Sequence, residues 1–263
     1  MFVSHHFNDK GIHLKTSLFI LLLLVFSWGF AQADVDTRPQ VVIDPGHGGS
    51  DTGSKEGSEV EKSWNLKIAQ ALGKAFEANG YQVLMTRTSD DDLDSEKRIN
   101  TINTSNAKVV LSIHADREWT GTQTGPFFVV EPPNQSATAD VDSIQPLGAI
   151  TALQYHASLK LARNIGQKLG ANISMSDLSD SRGLVGEVVS PNGKVACLPH
   201  QSLRYISKPA VVITPLFITS VSDLKKFGES TAIDDFALKV VVGVSDYLGI
   251  VLKLPTPTAG AAK

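Results

Sequence analysis

Three residues of this chain could together hold a divalent metal: His47 in VVIDPGHGG, Glu61 in EVEKSWNL and His114 in VVLSIHAD. Two imidazoles and one carboxylate form a ligand set that zinc takes in hydrolytic sites, where a fourth position stays open to water or substrate. Singly, each has an ordinary reading. A histidine is more often packed or solvated than a ligand, and a glutamate in a first helical turn simply answers the helix dipole. The trio is more specific than its members, because His47 and His114 both close apolar runs beside glycine or alanine, where backbone can approach closely and an imidazole has little to pack against. His156 and His200 occupy no comparable positions and read as packed or surface residues.

These side chains need elements that make them converge. Val41-Val42-Ile43 is short, β-branched and closed by Asp44-Pro45-Gly46, the pattern of a buried strand ending in a turn. Val109 to Ile113 repeats it, and between the two lie a helical segment, a strand at Gln82 to Thr86 and a second helical segment. This βαβαβ order predicts a parallel sheet with ligands gathered outside the carboxyl ends of its strands. Glu61 opens the pattern Leu66, Ile68, Ala69, Leu72, Phe76, which puts its carboxylate in a first turn.

Further along, Gly125 to Glu131 reads as a strand. The polar loop at 132–138 that follows is expected on the metal side of the sheet, as an ordinary surface connection or as a lid or partner-contact surface. A helix runs from before Leu153 to Leu169, a strand covers Ala210 to Ile213, and Ser222-Asp223 is a helix-start signal. The last helix spans about Thr231 to Leu248, with Phe236, Val240, Val244 and Leu248 on one face. The expected fold class is α/β: a single domain whose twisted, mostly parallel sheet is flanked by helices, with the zinc site at the strand carboxyl ends.

Composition narrows the function classes. The chain of 263 residues, 42% hydrophobic, is long enough for one sizeable core, and it carries no internal repeat. A net charge of -3, a pI near 6.2 and the lack of a basic stripe with interleaved aromatics argue against nucleic acid. The single Cys197 can form no intramolecular disulfide and reads as a small packed side chain.

Lys10 and Lys15 precede the apolar stretch Ser17 to Phe30, short for a bilayer span but suited to a signal-peptide core, and Ala31-Gln32-Ala33 supplies an A-x-A cleavage pattern. Residues 1–33 are therefore expected to be a signal peptide, with an uncleaved anchor as the alternative. Either way the chain is expected to be exported, to the periplasm or the cell exterior, and to meet membrane only through this segment. His5, His6 and His13 fall inside it and are set aside as ligands. Residues 254–263, rich in Pro, Ala, Gly and Thr, read as a disordered tail.

Several ordered blocks, VVIDPGHGGSDTGS, VEKSWNLKIAQAL, GYQVLMTRTSD, KRINTINTSNAKVVLSIHAD, SRGL near Arg182 and KPAVVITPLFITSVSDL, resemble the zinc-dependent N-acetylmuramoyl-L-alanine amidases of bacterial cell-wall turnover, of the amidase 3 type. The resemblance covers about Gln40 to Gly249, and marks residues 34–253 as a catalytic domain of that type. It implies Zn2+ as cofactor, with His47, Glu61 and His114 at the family's ligand positions. It also implies hydrolysis of the amide between N-acetylmuramic acid and L-alanine, with peptidoglycan as substrate and a protein activator as a possible partner.

One departure stands out. After the Pro-Ala-Val-Val-Ile strand the family has a glutamate, a small or apolar residue, then Gly-Phe, whereas this chain reads Thr214-Pro215-Leu216-Phe217. Thr214 thus occupies the position of the family's catalytic glutamate, and the catalytic residue is unassigned. Proton transfer by such a carboxylate is typically worth about a hundredfold to ten-thousandfold in rate, and a threonine hydroxyl does not titrate near neutral pH. Glu187, Glu131, Asp116 and Asp51 lie in segments that could border the metal, though a solvated surface carboxylate is the ordinary reading of each. Two functions follow from different classes: a zinc amidase, or a catalytically impaired homologue that binds peptidoglycan or a division partner. A zinc hydrolase acting on a different amide is a third.

Overall fold

The computed structural model describes Met1 and residues 38–117, 124–132, 146–170, 187–188, 195–197 and 200–252. In chain order the strands are β1 (Gln40–Pro45), β2 (Lys55–Glu56), β3 (Glu59–Val60), β4 (Gln82–Met85), β5 (Val109–Ile113), β6 (Phe127–Val130), β7 (Glu187–Val188), β8 (Val195–Cys197) and β9 (Ala210–Thr214). The helices are α1 (Glu61–Ala78), α2 (Ser95–Thr104), α3 (Pro146–Lys168), α4 (Val221–Gly228) and α5 (Ala232–Leu248).

The β-branched runs form the middle of a seven-stranded sheet in the order β4-β1-β5-β9-β6-β8-β7, with β4, β1, β5 and β9 parallel. Residues of β5 and β9 are buried throughout, as expected of parallel strands covered on both faces. Alternation along β1 divides the core in two. Val41 and Ile43 join Ile68, Leu72 and Phe76 of α1 and Val240 and Val244 of α5, while Val42 points the other way, to Ile102 of α2 and to Leu203 and Ile206. From β1 the chain returns on one side as β4 and on the other as β5, so a topological switch point lies between the carboxyl ends of β1 and β5, where open α/β sheets bind ligands.

Two expectations change. The strand at Phe127–Val130 is present, but it runs antiparallel to β9, with Phe127 opposite Thr214. The chain therefore leaves β6 toward the amino-terminal end of β9, away from the edge that carries His47 and His114. The metal-side loop at 132–138 assumed a parallel strand and has no such basis; residues 133–138 lie outside the described residues. On α1, Asn65 is buried and Leu66 only partly so, so the apolar pattern's first position is off the buried stripe. The short strands β2, β3, β7 and β8 have no counterpart in the sequence reading. Cys197 is fully buried in β8, in line with a small packed side chain. The proposed signal segment, Arg182 and the tail at 254–263 also lie outside the described residues. No helix among the described residues is long and apolar enough to cross a membrane.

Candidate metal centre

β1 ends in a sharp reversal. His47 has φ 58°, the left-handed region that side-chain-bearing residues seldom adopt, and strain of this kind collects at functional sites. Two arginines clamp the turn. Arg87 donates from Nε to the Pro45 carbonyl at 3.1 Å and from Nη2 to the Gly46 carbonyl at 2.9 Å. Arg98 donates to the carbonyls of Pro45 and His47 at 2.8 and 3.2 Å, and it pairs with the fully buried Asp44. Asp44 also accepts from Thr86 and Ser112, so its charge is fully engaged.

The three candidate ligands meet beyond this turn. Glu61 Oε1 lies 3.2 Å from His47 Nε2 and 2.9 Å from His114 Nδ1, and one ligand atom from each residue fits within a 4.8 Å cluster. Tetrahedral zinc with bonds of about 2.0–2.1 Å separates its nitrogen and oxygen ligands by roughly 3.3 Å, close to the two spacings between Glu61 and the histidines. The remaining polar atoms are held from outside, as metal ligands usually are. His47 Nδ1 is 2.8 Å from Asp51 Oδ2, Glu61 Oε2 accepts the Ser54 amide at 2.8 Å, and His114 Nε2 is 3.1 Å from Ser202 Oγ.

Backbone without side chains makes room for this. A Cβ on Gly46 would fall 2.2–2.7 Å from three atoms of the His114 ring, and one on Gly53 would fall 2.7 Å from both Glu61 Oε2 and His47 Cδ2. Beneath the site, buried Asn65 donates to the Gly46 carbonyl at 3.1 Å and accepts the Ala115 amide at 2.6 Å, tying the ends of β1 and β5 together. The sequence reading missed Asn65. Its signal was available: it is four residues after Glu61, on the stripe that continues through Ile68, Ala69 and Leu72.

Charge is concentrated here. Burial disfavours the imidazolium of His47, but hydrogen bonding and attraction to Glu61, then Asp51, raise its pKa to about 9 in the metal-free protein. Burial acts against ionised Glu61, yet its hydrogen bonds to His114 and His47 hold the carboxyl well below the usual range. Burial, then repulsion from His114, lowers His200 to about 4. Burial pushes Asp116 up.

A cavity of about 510 Å³ opens above the trio, bordered by Asp51, Arg98, Asp116 and the segment His200-Gln201-Ser202. Of the four alternative acids, Asp51 and Asp116 border it, whereas Glu131 instead accepts the His200 amide at 2.7 Å. The side chain of Glu187 lies outside the described residues. Thr214 ends β9 at 2% exposure and does not border the cavity. His156 is exposed on α3, as expected. His200, read as a packed or surface residue, borders the cavity, with its ring 5.2 Å from that of His114.

Fold and site thus define an α/β domain with a candidate three-ligand metal centre of the hydrolytic kind at its switch point. The sequence model of the amidase 3 family, described as N-acetylmuramoyl-L-alanine amidase, matches residues 41–246, and the chain belongs to that family. It is 27% identical over 207 residues to the N-acetylmuramoyl-L-alanine amidase LytC of Bacillus subtilis, covering 79% of this chain and 35% of that protein. It is also 27% identical over 225 residues to the amidase AmiC of Neisseria meningitidis, covering 80% and 53%. The chain therefore spans about a third to a half of the length of these relatives. Among solved structures, the N-acetylmuramoyl-L-alanine amidase from Clostridium difficile 630 superposes with a TM-score of 0.58 at 27% identity, covering 81% of this chain and 97% of that one. The CwlD amidase from Clostridioides difficile, solved in complex with the GerS lipoprotein, shares the fold with a TM-score of 0.59 at 21% identity over 81% and 99%.

Proposed function

We propose that this protein is a zinc-dependent hydrolase of the amide between N-acetylmuramic acid and L-alanine in peptidoglycan. The observation that carries the reading is the convergence of His47, Glu61 and His114 on one point, at the edge of an open cavity, in a chain of the amidase family. His47, Glu61 and His114 would hold zinc there, and the ion would supply Lewis acidity for activating water and polarising the scissile carbonyl. The protein's own groups prepare the site. Asp51 accepts from His47 Nδ1–H and leaves Nε2 to face the metal position; the Ser54 amide occupies Glu61 Oε2 and leaves Oε1 turned to the two imidazoles and that position. Asp51 is thereby engaged, so among the described residues Asp116 is the carboxylate bordering the cavity, besides Glu61, that could substitute for the one the family carries at the position of Thr214.

The reading includes residues 1–33 as an export signal, because a cell-wall substrate lies outside the cytoplasm, and it allows for a protein partner, as CwlD has in GerS. Thr214, buried and away from the cavity, favours a second reading: a homologue that keeps the metal centre and binds peptidoglycan without cleaving it. Zymography of the purified protein on peptidoglycan, with and without a chelator, separates the two. Clearing that a chelator abolishes supports the hydrolase; binding without clearing supports the second reading.

A further inference from the structure

The segment before β9 reaches the metal centre from outside the family motifs. His200-Gln201-Ser202 forms a turn in which the Leu203 and Arg204 amides both donate to the His200 carbonyl at 2.9 Å. It is pinned at several points. The His200 amide donates to Glu131, Gln201 Nε2 donates to Ser95 Oγ at 3.2 Å, and Leu203 is buried in the core on the α2 side. The Ser202 amide donates to His200 Nδ1 at 3.2 Å, and Ser202 Oγ stands 3.1 Å from His114 Nε2. This serine is therefore on a fixed support.

A neutral imidazole has one nitrogen that donates and one that accepts. With Nδ1 of His114 turned to Glu61 and the metal position, Nε2 must carry the proton and needs an acceptor. Contact with Gly46 fixes the plane of the ring but not its sense, since a half-turn about Cβ–Cγ keeps the plane and exchanges Nδ1 for carbon. A partner at Nε2, together with the Glu61 contact at Nδ1, removes that freedom.

We propose that Ser202 is a positioning residue of the metal centre: its hydroxyl oxygen accepts from His114 Nε2–H and fixes the tautomer and ring orientation that present Nδ1 to zinc. The inference rests on His114 being a ligand. Loss of an outer-shell partner of a ligating histidine typically costs about 10–100-fold in metal affinity. Ser202→Ala should weaken zinc binding by about that factor in competition with a chelating dye and should alter the visible spectrum of the cobalt-substituted protein. Ser202→Thr, which keeps the hydroxyl, should stay within about threefold of wild type. Wild-type affinity and an unchanged cobalt spectrum in Ser202→Ala would overturn the proposal. Should the alanine variant unfold, long-range proton–nitrogen NMR of the zinc-loaded wild type decides instead. A protonated Nε2 on His114 supports the proposal, and a proton on Nδ1 defeats it. Full zinc retention in His114→Ala would remove the metal site itself and this proposal with it, whereas loss of zinc there with no effect in Ser202→Ala sinks only the role of Ser202.

Discussion

The carboxyl ends of β1 and β5 and the carboxyl end of β9 lie side by side in one sheet, yet they are built differently. At β1 and β5 the chain is cut away to glycine where His114 and Glu61 need room, each candidate ligand has an outer partner, and the surface opens into a cavity. At β9 the chain is closed. Thr214, Pro215, Leu216 and Phe217 are all buried, the Pro215 carbonyl abuts Gly125, and Asp223 Oδ2 accepts the amides of both Gly125 and Phe217 at 2.9 and 3.0 Å. Holding a metal and moving a proton are thus separable demands on this fold. A candidate site for the first stands at the ends of β1 and β5, and at the end of β9 a packed threonine stands where the family resemblance expects the residue for the second.

The largest effect expected comes from breaking the metal side. Glu61→Ala leaves two imidazoles and should lower peptidoglycan hydrolysis by at least about a thousandfold, read by dye release from labelled cell wall. Opening the closed side should work in the other direction. Thr214→Glu with Leu216→Gly restores the family's carboxylate and its glycine, and should raise hydrolysis by about tenfold or more, a conservative share of general acid–base catalysis. If wild type is already robustly active and the double substitution leaves the rate unchanged, another group performs the proton transfer. Asn65→Ala sharpens the contrast from below, because it strands the buried Ala115 amide. A loss of about 1–3 kcal/mol in chemical denaturation is expected.

A smaller effect follows from pH. Without metal, His47 has its pKa raised from 6.5 to about 9, so its share of stability is complete below pH 6.5 and fades as pH rises toward 9. Glu61, held below its usual range, contributes in the opposite sense, with stability lost as pH falls through the acid range. Chelator-treated protein should therefore be less stable at pH 9 than at pH 6.5. Equal denaturation midpoints at the two pH values would speak against a His47–Glu61 ion pair.

The metal side was legible in the sequence because local rules place it: a β-branched run ending in Asp-Pro-Gly, a second run ending in Ser-Ile-His, and a glutamate at the head of an amphipathic stripe. Asn65 went unseen because a polar residue on a helical face was not counted toward that face, although its spacing from Glu61 marks it. The direction of β6 is not a local property. It depends on how the chain returns to the sheet, and Gly125 to Glu131 reads the same in either sense. His200 and Ser202 were hidden for the same reason, since the approach to His114, across 88 residues for Ser202, is made by tertiary packing of the segment before β9 against α2. The closure around Thr214 depends likewise on Gly125 and Asp223, distant in sequence from each other.

Zinc stoichiometry in wild type and His114→Ala tests the central claim most directly. After dialysis against metal-free buffer, wild type should retain about one zinc per chain and the variant almost none, because a site left with two protein ligands is weak. Equal zinc in both proteins, or none in wild type under conditions where it is folded, would contradict the assignment of His47, Glu61 and His114 as a metal centre.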